Sequence, residues 1–162
     1  MTVRRVLAGL VVMLTLGGCF DYRIDPLEPP VTVSFATVEQ GTASGIRSPK
    51  LVVVRTEKEW TELWAAHTAS VSPAPTAAPV DFSQDMIVAA FAGEKPTGGS
   101  RIQIERLETQ QRNKVLIVTY QQTDPTPGTA AIQMLTQPFH IVKAKKSDGA
   151  PLFMQLGKPA KS

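Results

Sequence analysis

Apolar and polar residues alternate along most of this chain, and two stretches break that rhythm. From Met86 to Ala92 the run is unbroken apolar and closes on Gly93. A short apolar run ended by glycine predicts a strand buried on both faces. From Thr56 the spacing becomes helical. Trp60, Leu63, Trp64 and His67 fall at i, i+3, i+4 and i+7, one face of a helix. Thr56 and Glu59 spell a T-x-x-E capping box, each side chain placed to satisfy the other's backbone amide. Pro73, Pro75 and Pro79 then stop the helix and stiffen the connector that follows.

The alternating stretches predict strands. Val31–Val38 is the first and Leu51–Arg55 the second, with Glu39–Gly45 a turn or loop between them. Arg101–Glu105 carries Ile102 and Ile104 between polar residues, the pattern of a strand with one wet face. It is expected to pair with Met86–Ala92 as a hairpin around the glycine-rich segment between them. Leu107 is out of phase with Ile102 and Ile104, which predicts a bulge near Glu105 or Arg106. Strands are also expected over Lys114–Gln122, Ala131–Thr136 (short), Pro138–Ala144 and, at an edge, Leu152–Leu156. Polar turns or loops are expected at Gln110–Asn113, Thr123–Thr129 and Ser147–Gly149, with a loose tail after Gly157. One helix with seven or eight short strands gives an α+β fold: a curved, mostly antiparallel sheet, partly closed as a barrel or sandwich, with the helix covering one side.

The N-terminus changes the count of residues available to that fold. Arg4 and Arg5 precede an apolar stretch, Val6–Leu16, too short to span a bilayer. Leu16-Gly17-Gly18-Cys19 follows, a bacterial lipobox in which Cys19 becomes the lipidated N-terminus. The expected organisation is a signal peptide over 1–18, a lipidated N-terminus and flexible tether over 19–30, and a single globular domain over 31–158. Pro26, Pro29 and Pro30 keep the tether extended. Cys19 is the one cysteine of the chain, so no internal disulfide forms. The expected location is the bacterial cell envelope, lipid-anchored, outside the cytoplasm. Phe20, in place of an aspartate after the cysteine, favours the outer membrane. Lys and Arg number 17 against 14 Asp and Glu. Cleavage before Cys19 removes Arg4 and Arg5 and leaves an excess of one positive charge, so bulk charge makes no case for nucleic acid.

Asp81-Phe82-Ser83, the apolar strand, Gly93-Glu94-Lys95-Pro96-Thr97-Gly98-Gly99 and Gln137-Pro138-Phe139-His140-Ile141-Val142 together resemble the PrcB C-terminal domain family. The resemblance spans roughly residues 50 to 146. That family is named after a lipoprotein subunit of a secreted bacterial protease complex. The resemblance implies binding to an exported protein such as a protease, in support of its stability or maturation. It supplies no catalytic residues.

Motifs for chemistry are scarce. Gly93 to Ser100 nearly spells a P-loop, but Gly99 stands where the phosphate-binding lysine belongs, and the loop leads into a strand where a P-loop opens a helix. His67 and His140 lie on different elements, without a G-x-S-x-G motif and without an evident partner for His67. Two lone histidines do not make a zinc site. Asp81 and Asp85 read as turn-formers. No enzyme activity, metal or cofactor is expected. Lys143, Lys145 and Lys146 read as a solvated edge that blocks strand pairing rather than a lipid-headgroup patch. Gly93, Glu94, Lys95, Pro96, Thr97, Gly98 and Gly99 are the candidate partner-binding loop, with Lys95 and Pro96 presenting the contact. Glycine at positive φ also accounts for Gly98 and Gly99 without any function. Two rival readings are a small-molecule or glycan-binding lipoprotein that stacks ligand on Trp60 or Trp64, and a protease inhibitor.

Overall fold

The computed structural model describes residues 29–110, 114–125 and 133–157. The signal peptide, Cys19 and most of the tether lie outside the described residues. So do parts of the expected Gln110–Asn113 turn, Thr123–Thr129 loop and Ala131–Thr136 strand, and the tail.

The strands are β1 (Val31–Thr32), β2 (Phe35–Gly41), β3 (Lys50–Val54), β4 (Asp85–Phe91), β5 (Arg101–Gln110), β6 (Val115–Thr123), β7 (Phe139–Lys145) and β8 (Ala150–Gln155), with helix α1 at Glu57–His67 between β3 and β4. They form two four-stranded sheets, in the orders β1-β5-β6-β8 and β2-β7-β4-β3. All pairs are antiparallel except β6 with β8. The fold is an α+β sandwich and not a closed barrel.

The layering follows from β4. Met86, Val88, Ala90 and Ala92 enter the core shared with Ile102, Ile104, Leu107, Leu116 and Val118 of the other sheet. Ile87, Ala89 and Phe91 face the other way, into a second core with Val54, Trp60 and Leu63. A strand alternates its side chains between two faces, so an unbroken apolar run fits the middle layer of three: sheet, sheet, helix. Every β4 residue from Met86 to Ala90 is fully buried.

The expected β4–β5 hairpin is overturned. β4 pairs with β3 and β7, and β5 pairs with β1 and β6. Glu94–Ser100 therefore carries the chain from one sheet to the other. The physical reason is on β4 itself: with both faces apolar it needs neighbours that extend the middle sheet, while β5, wet on one face, belongs to the outer one. The expected first strand is likewise divided. Val31–Thr32 pairs with β5, and after Val33 the chain crosses to pair Phe35–Gly41 with β7, so β2 runs three residues into the expected loop. The lysine edge is also corrected. β7 lies between β2 and β4, Lys145 pairs with Asp85 at 3.2 Å, and Lys146 donates to the Phe82 carbonyl at 2.9 Å.

Other expectations hold. The register of β5 against β6 shifts between Ile104 and Arg106, and that bulge returns Leu107 to the core. The capping box of α1 is complete, with Glu59 N–H donating to Thr56 Oγ1 at 3.3 Å and Thr56 N–H to Glu59 Oε2 at 3.2 Å. Asp81 accepts from Ser83 N–H at 2.9 Å and turns the chain into β4.

One polar side chain ties the sheets together. His140 points from β7 into the core between them. Its Nδ1 accepts the Ile104 N–H of β5 at 2.9 Å, so the neutral ring carries its proton on Nε2 and donates to Thr37 Oγ1 at 2.9 Å. Burial pushes the ring below its ordinary pKa of 6.5. A histidine kept neutral in the fold contributes stability that is complete above its unfolded pKa and lost as pH falls through the lower folded value. Unfolding midpoints in urea should therefore drop from about pH 7.5 to about pH 5. His140→Gln, which keeps an acceptor for Ile104, should flatten that dependence; an unchanged slope would show that the ring does not carry it. The tryptophans give a second check. Trp60 is 1 % exposed and donates Nε1–H to Ala78 O at 3.1 Å. Acrylamide should quench it little, leaving the half-buried Trp64 as the quenchable fraction.

Candidate functional site

The loop Gly93–Ser100 starts at a point where only glycine fits. Gly93 has φ +74°, and a Cβ there would stand 2.8 Å from the Pro49 ring and 3.0 Å from the Arg47 carbonyl. Gly99 has φ +95°, whereas Gly98 does not lie in the left-handed region. The conformational requirement thus falls on Gly93 and Gly99, a correction for Gly98.

Beyond Gly93 the loop is held on both sides. Glu94 N–H donates to Arg47 O at 2.8 Å. Its carboxylate takes Gln137 Nε2 at 3.2 Å and lies 3.7 Å from Arg47 Nε. Lys95 and Thr136 exchange two backbone bonds at 2.8 and 3.0 Å, and Thr136 Oγ1 donates to Thr97 O at 3.2 Å. The Lys95 side chain, 20 % exposed, turns back to Asp124 at 3.2 Å. Ser100 Oγ donates to the same carboxylate at 2.9 Å and Gln122 Nε2 at 3.2 Å. Burial works to raise the Asp124 carboxyl, but the bonds from Ser100, Lys95 and Gln122 outweigh it and hold the pKa below the usual value. Lys95 therefore braces the loop and does not present a free charge.

What the loop does present is apolar. Pro96 is exposed, and the antiparallel Lys95–Thr136 bridge sets it opposite Leu135. Leu135 is 63 % exposed and Met134 55 %. The sequence places Met134 and Leu135 about forty residues from the glycine loop, and the bonds through Thr136 and Gln137 that link their segment to it are ones no periodicity reveals.

A second arrangement also escaped the sequence. His67, at the end of α1, has two partners. Nε2–H donates to Glu39 Oε2 at 3.2 Å, and Nδ1 accepts from Ser44 Oγ at 2.9 Å. Serine, histidine and carboxylate in line are the parts of an activated nucleophile. Here the serine is 4 % exposed and its oxygen already accepts Ile46 N–H at 3.1 Å. The imidazole lies edge-on to Phe139 with ring centroids 4.3 Å apart. Gly45 N–H donates to His67 O at 2.7 Å. An enclosed hydroxyl receives no substrate carbonyl, so the three side chains staple the β2–β3 connection to the helix end. Among the described residues no group of three or more His, Cys, Asp or Glu gathers to hold a metal.

If the staple is structural, Ser44→Ala should cost about 1–3 kcal/mol of unfolding free energy, the range for leaving a buried polar partner unmet. It should leave any partner binding at the Pro96 loop unchanged. Equilibrium denaturation and a binding assay on the same variant check the two halves.

No curated protein and no solved structure matches this chain. Residues 86–145, from the double-buried strand through the glycine loop to the end of β7, match the family model described as PrcB C-terminal. The similarity to that family covers this segment of the chain.

Proposed function

We propose that this chain is a lipid-anchored accessory subunit of the bacterial cell envelope that binds an exported protease through the end of the sandwich formed by Pro96, Met134 and Leu135. The observation that carries the reading is the family match over residues 86–145, since the family is named for a lipoprotein subunit of a protease complex. The anchor is the lipid on Cys19 expected from the lipobox, and the outer membrane is the favoured site.

The mechanism is recognition by a braced surface. Loops carried on a rigid scaffold bind with little ordering cost. The Lys95–Asp124 contact and the Thr136 bridge hold Pro96 and Leu135 in place before a partner arrives. Exposed apolar side chains at such a tip are the anchors that a protein interface buries. The ligand-stacking rival loses Trp60, which is enclosed under the helix, and Trp64 has its Nε1–H committed to Pro75 O at 2.7 Å.

The test is light crosslinking of the envelope of the native host, with the full chain tagged at its C-terminus, followed by mass spectrometry. A recurrent exported protease is the expected recovery. Leu135→Asp should reduce that recovery on the order of tenfold, the loss of about 1.4 kcal/mol of binding, with an unchanged thermal midpoint. Lys95→Ala is the contrasting variant, because it loosens the loop and lowers stability. Clean recovery of the lipoprotein alone, at good yield, would refute the accessory-subunit reading.

A further inference from the structure

Among the described residues strand β8 is an open edge of the outer sheet, and apart from Pro151 it lacks the protection of the other edges. β1 is two residues long, β2 is broken by a register shift between Thr37 and Glu39, and β3 opens with Lys50. Short length, bulges and lysine each discourage pairing with another chain. β8 has six residues, no charge, and two apolar side chains pointing out from its face: Leu152 is 49 % exposed and Met154 51 %, with Leu156, 44 % exposed, just past its end. Phe153, on the opposite face, packs into the core between the sheets.

The backbone groups at that edge follow from the parallel pairing with β6. Ala150 N–H donates to Lys114 O and Leu156 N–H to Tyr120 O. The even-numbered residues therefore spend their amides on β6, and those of Pro151, Phe153 and Gln155 face the open side. Proline has no N–H, which leaves Phe153 and Gln155 as the outward pairing groups. Both lie one residue from Met154, and Leu152 and Leu156 lie two residues from it on the same face.

We propose that β8 pairs with β8 of a second copy of this chain, antiparallel and centred on Met154. In that register Phe153 and Gln155 of one copy exchange backbone bonds with Gln155 and Phe153 of the other. Met154 meets Met154, and Leu152 meets Leu156 on the same face. The stripe is its own complement under a two-fold axis, which is the requirement of an isologous interface. Pro151 falls at the end of the ladder opposite Gly157, where the strand has already turned, so its missing donor costs the pairing little. The result is one continuous sheet of two outer halves. A six-residue edge is a small contact beside the roughly 1,200–2,000 Å² of a standard interface, so the dimer is expected to dissociate on dilution. The inference rests on no part of the accessory-subunit reading.

Cysteine crosslinking in the full chain tests it. Cys19 is the only native cysteine, and the unsubstituted chain is the control. Opposite side chains in a non-hydrogen-bonded pair have Cβ atoms about 4.5–5.5 Å apart, close to the separation a disulfide accepts. Leu152 and its copy would lie roughly 13 Å apart along the strands. Oxidation of intact cells should link Met154→Cys into a dimer on the order of tenfold more than Leu152→Cys. Met154→Lys should shift the purified protein to monomer in sedimentation at a concentration where the parent dimerises, with a thermal midpoint equal to that of the parent diluted to monomer. Absence of the Met154→Cys dimer, equal crosslinking from Leu152→Cys, or a mixed disulfide to a different protein in place of the dimer would each overturn the proposal.

Discussion

Burial of β4 on both faces is the constraint from which the rest of the architecture follows. A strand with no wet side chain has to be covered twice, and this chain supplies two different covers. On one side β5 and β6 bring Ile102, Ile104, Leu107, Leu116 and Val118. On the other, Trp60 and Leu63 arrive on a single turn of helix face. The hydrophobic gain from enclosing such a strand is roughly 25 cal/mol for each Å² removed from water. Both covers are needed to collect it, and neither can be the immediate hairpin partner of β4, because a hairpin partner lies beside a strand and not over it. The glycine segment after β4 is consequently a bridge between layers. Its bracing by Arg47, Thr136 and Asp124 is what such a crossing requires.

Stacked layers bury polar backbone at their crossings, and the two histidines answer for that. The bulge in β5 takes Ile104 out of regular register, and His140 supplies an acceptor for its amide from the facing sheet. At the far side, His67 closes the end of α1 onto the β2–β3 connection through Ser44 and Glu39. Among the described residues no buried side-chain nitrogen or oxygen lacks a partner. An unmet buried polar group costs about as much as several methylenes gain, so these bonds are conditions of the packing and not additions to it.

Local chemistry was legible in the sequence and long-range pairing was not. The capping box at Thr56 and Glu59, the helical face of Trp60 and Leu63, the double burial of Met86–Ala92 and the bulge signalled by Leu107 all depend on neighbours within a few residues. The pairing of β4 with β7 joins residues about fifty positions apart, and both are apolar runs that would fit several partners. Separations of about thirty and forty positions likewise hide Asp124 from Lys95 and Leu135 from Pro96. The partners of His67 stay hidden for that reason: Glu39 and Ser44 lie in what pattern alone marks as a loop. The candidate loop was found through its glycines, yet its exposed face belongs partly to residues 134 and 135, which carry no turn signal. Lysines at the end of β7 misled in the opposite sense, since a charged strand end looks the same in sequence whether or not the strand is an edge.

The apolar tip at Pro96 and Leu135 and the apolar stripe on β8 occupy different parts of the described fold, and that separation has a consequence. Pro96 and Leu135 sit beyond the C-terminal end of β6, where Asp124 follows Thr123. The stripe of Leu152 and Met154 runs along the flank of the outer sheet, on the strand beside β6. A partner strand added to β8 extends the sheet sideways, on the side away from β6, and pairs with no residue of the loop. Pairing of two copies would therefore present two loop surfaces at once, fixed to one continuous sheet. Linked sites raise avidity only when their spacing lets both engage, and a shared sheet sets that spacing rigidly, where a flexible tether would leave it variable. A weak edge contact can then matter more than its area suggests, because its effect is to hold two loops in a defined relation.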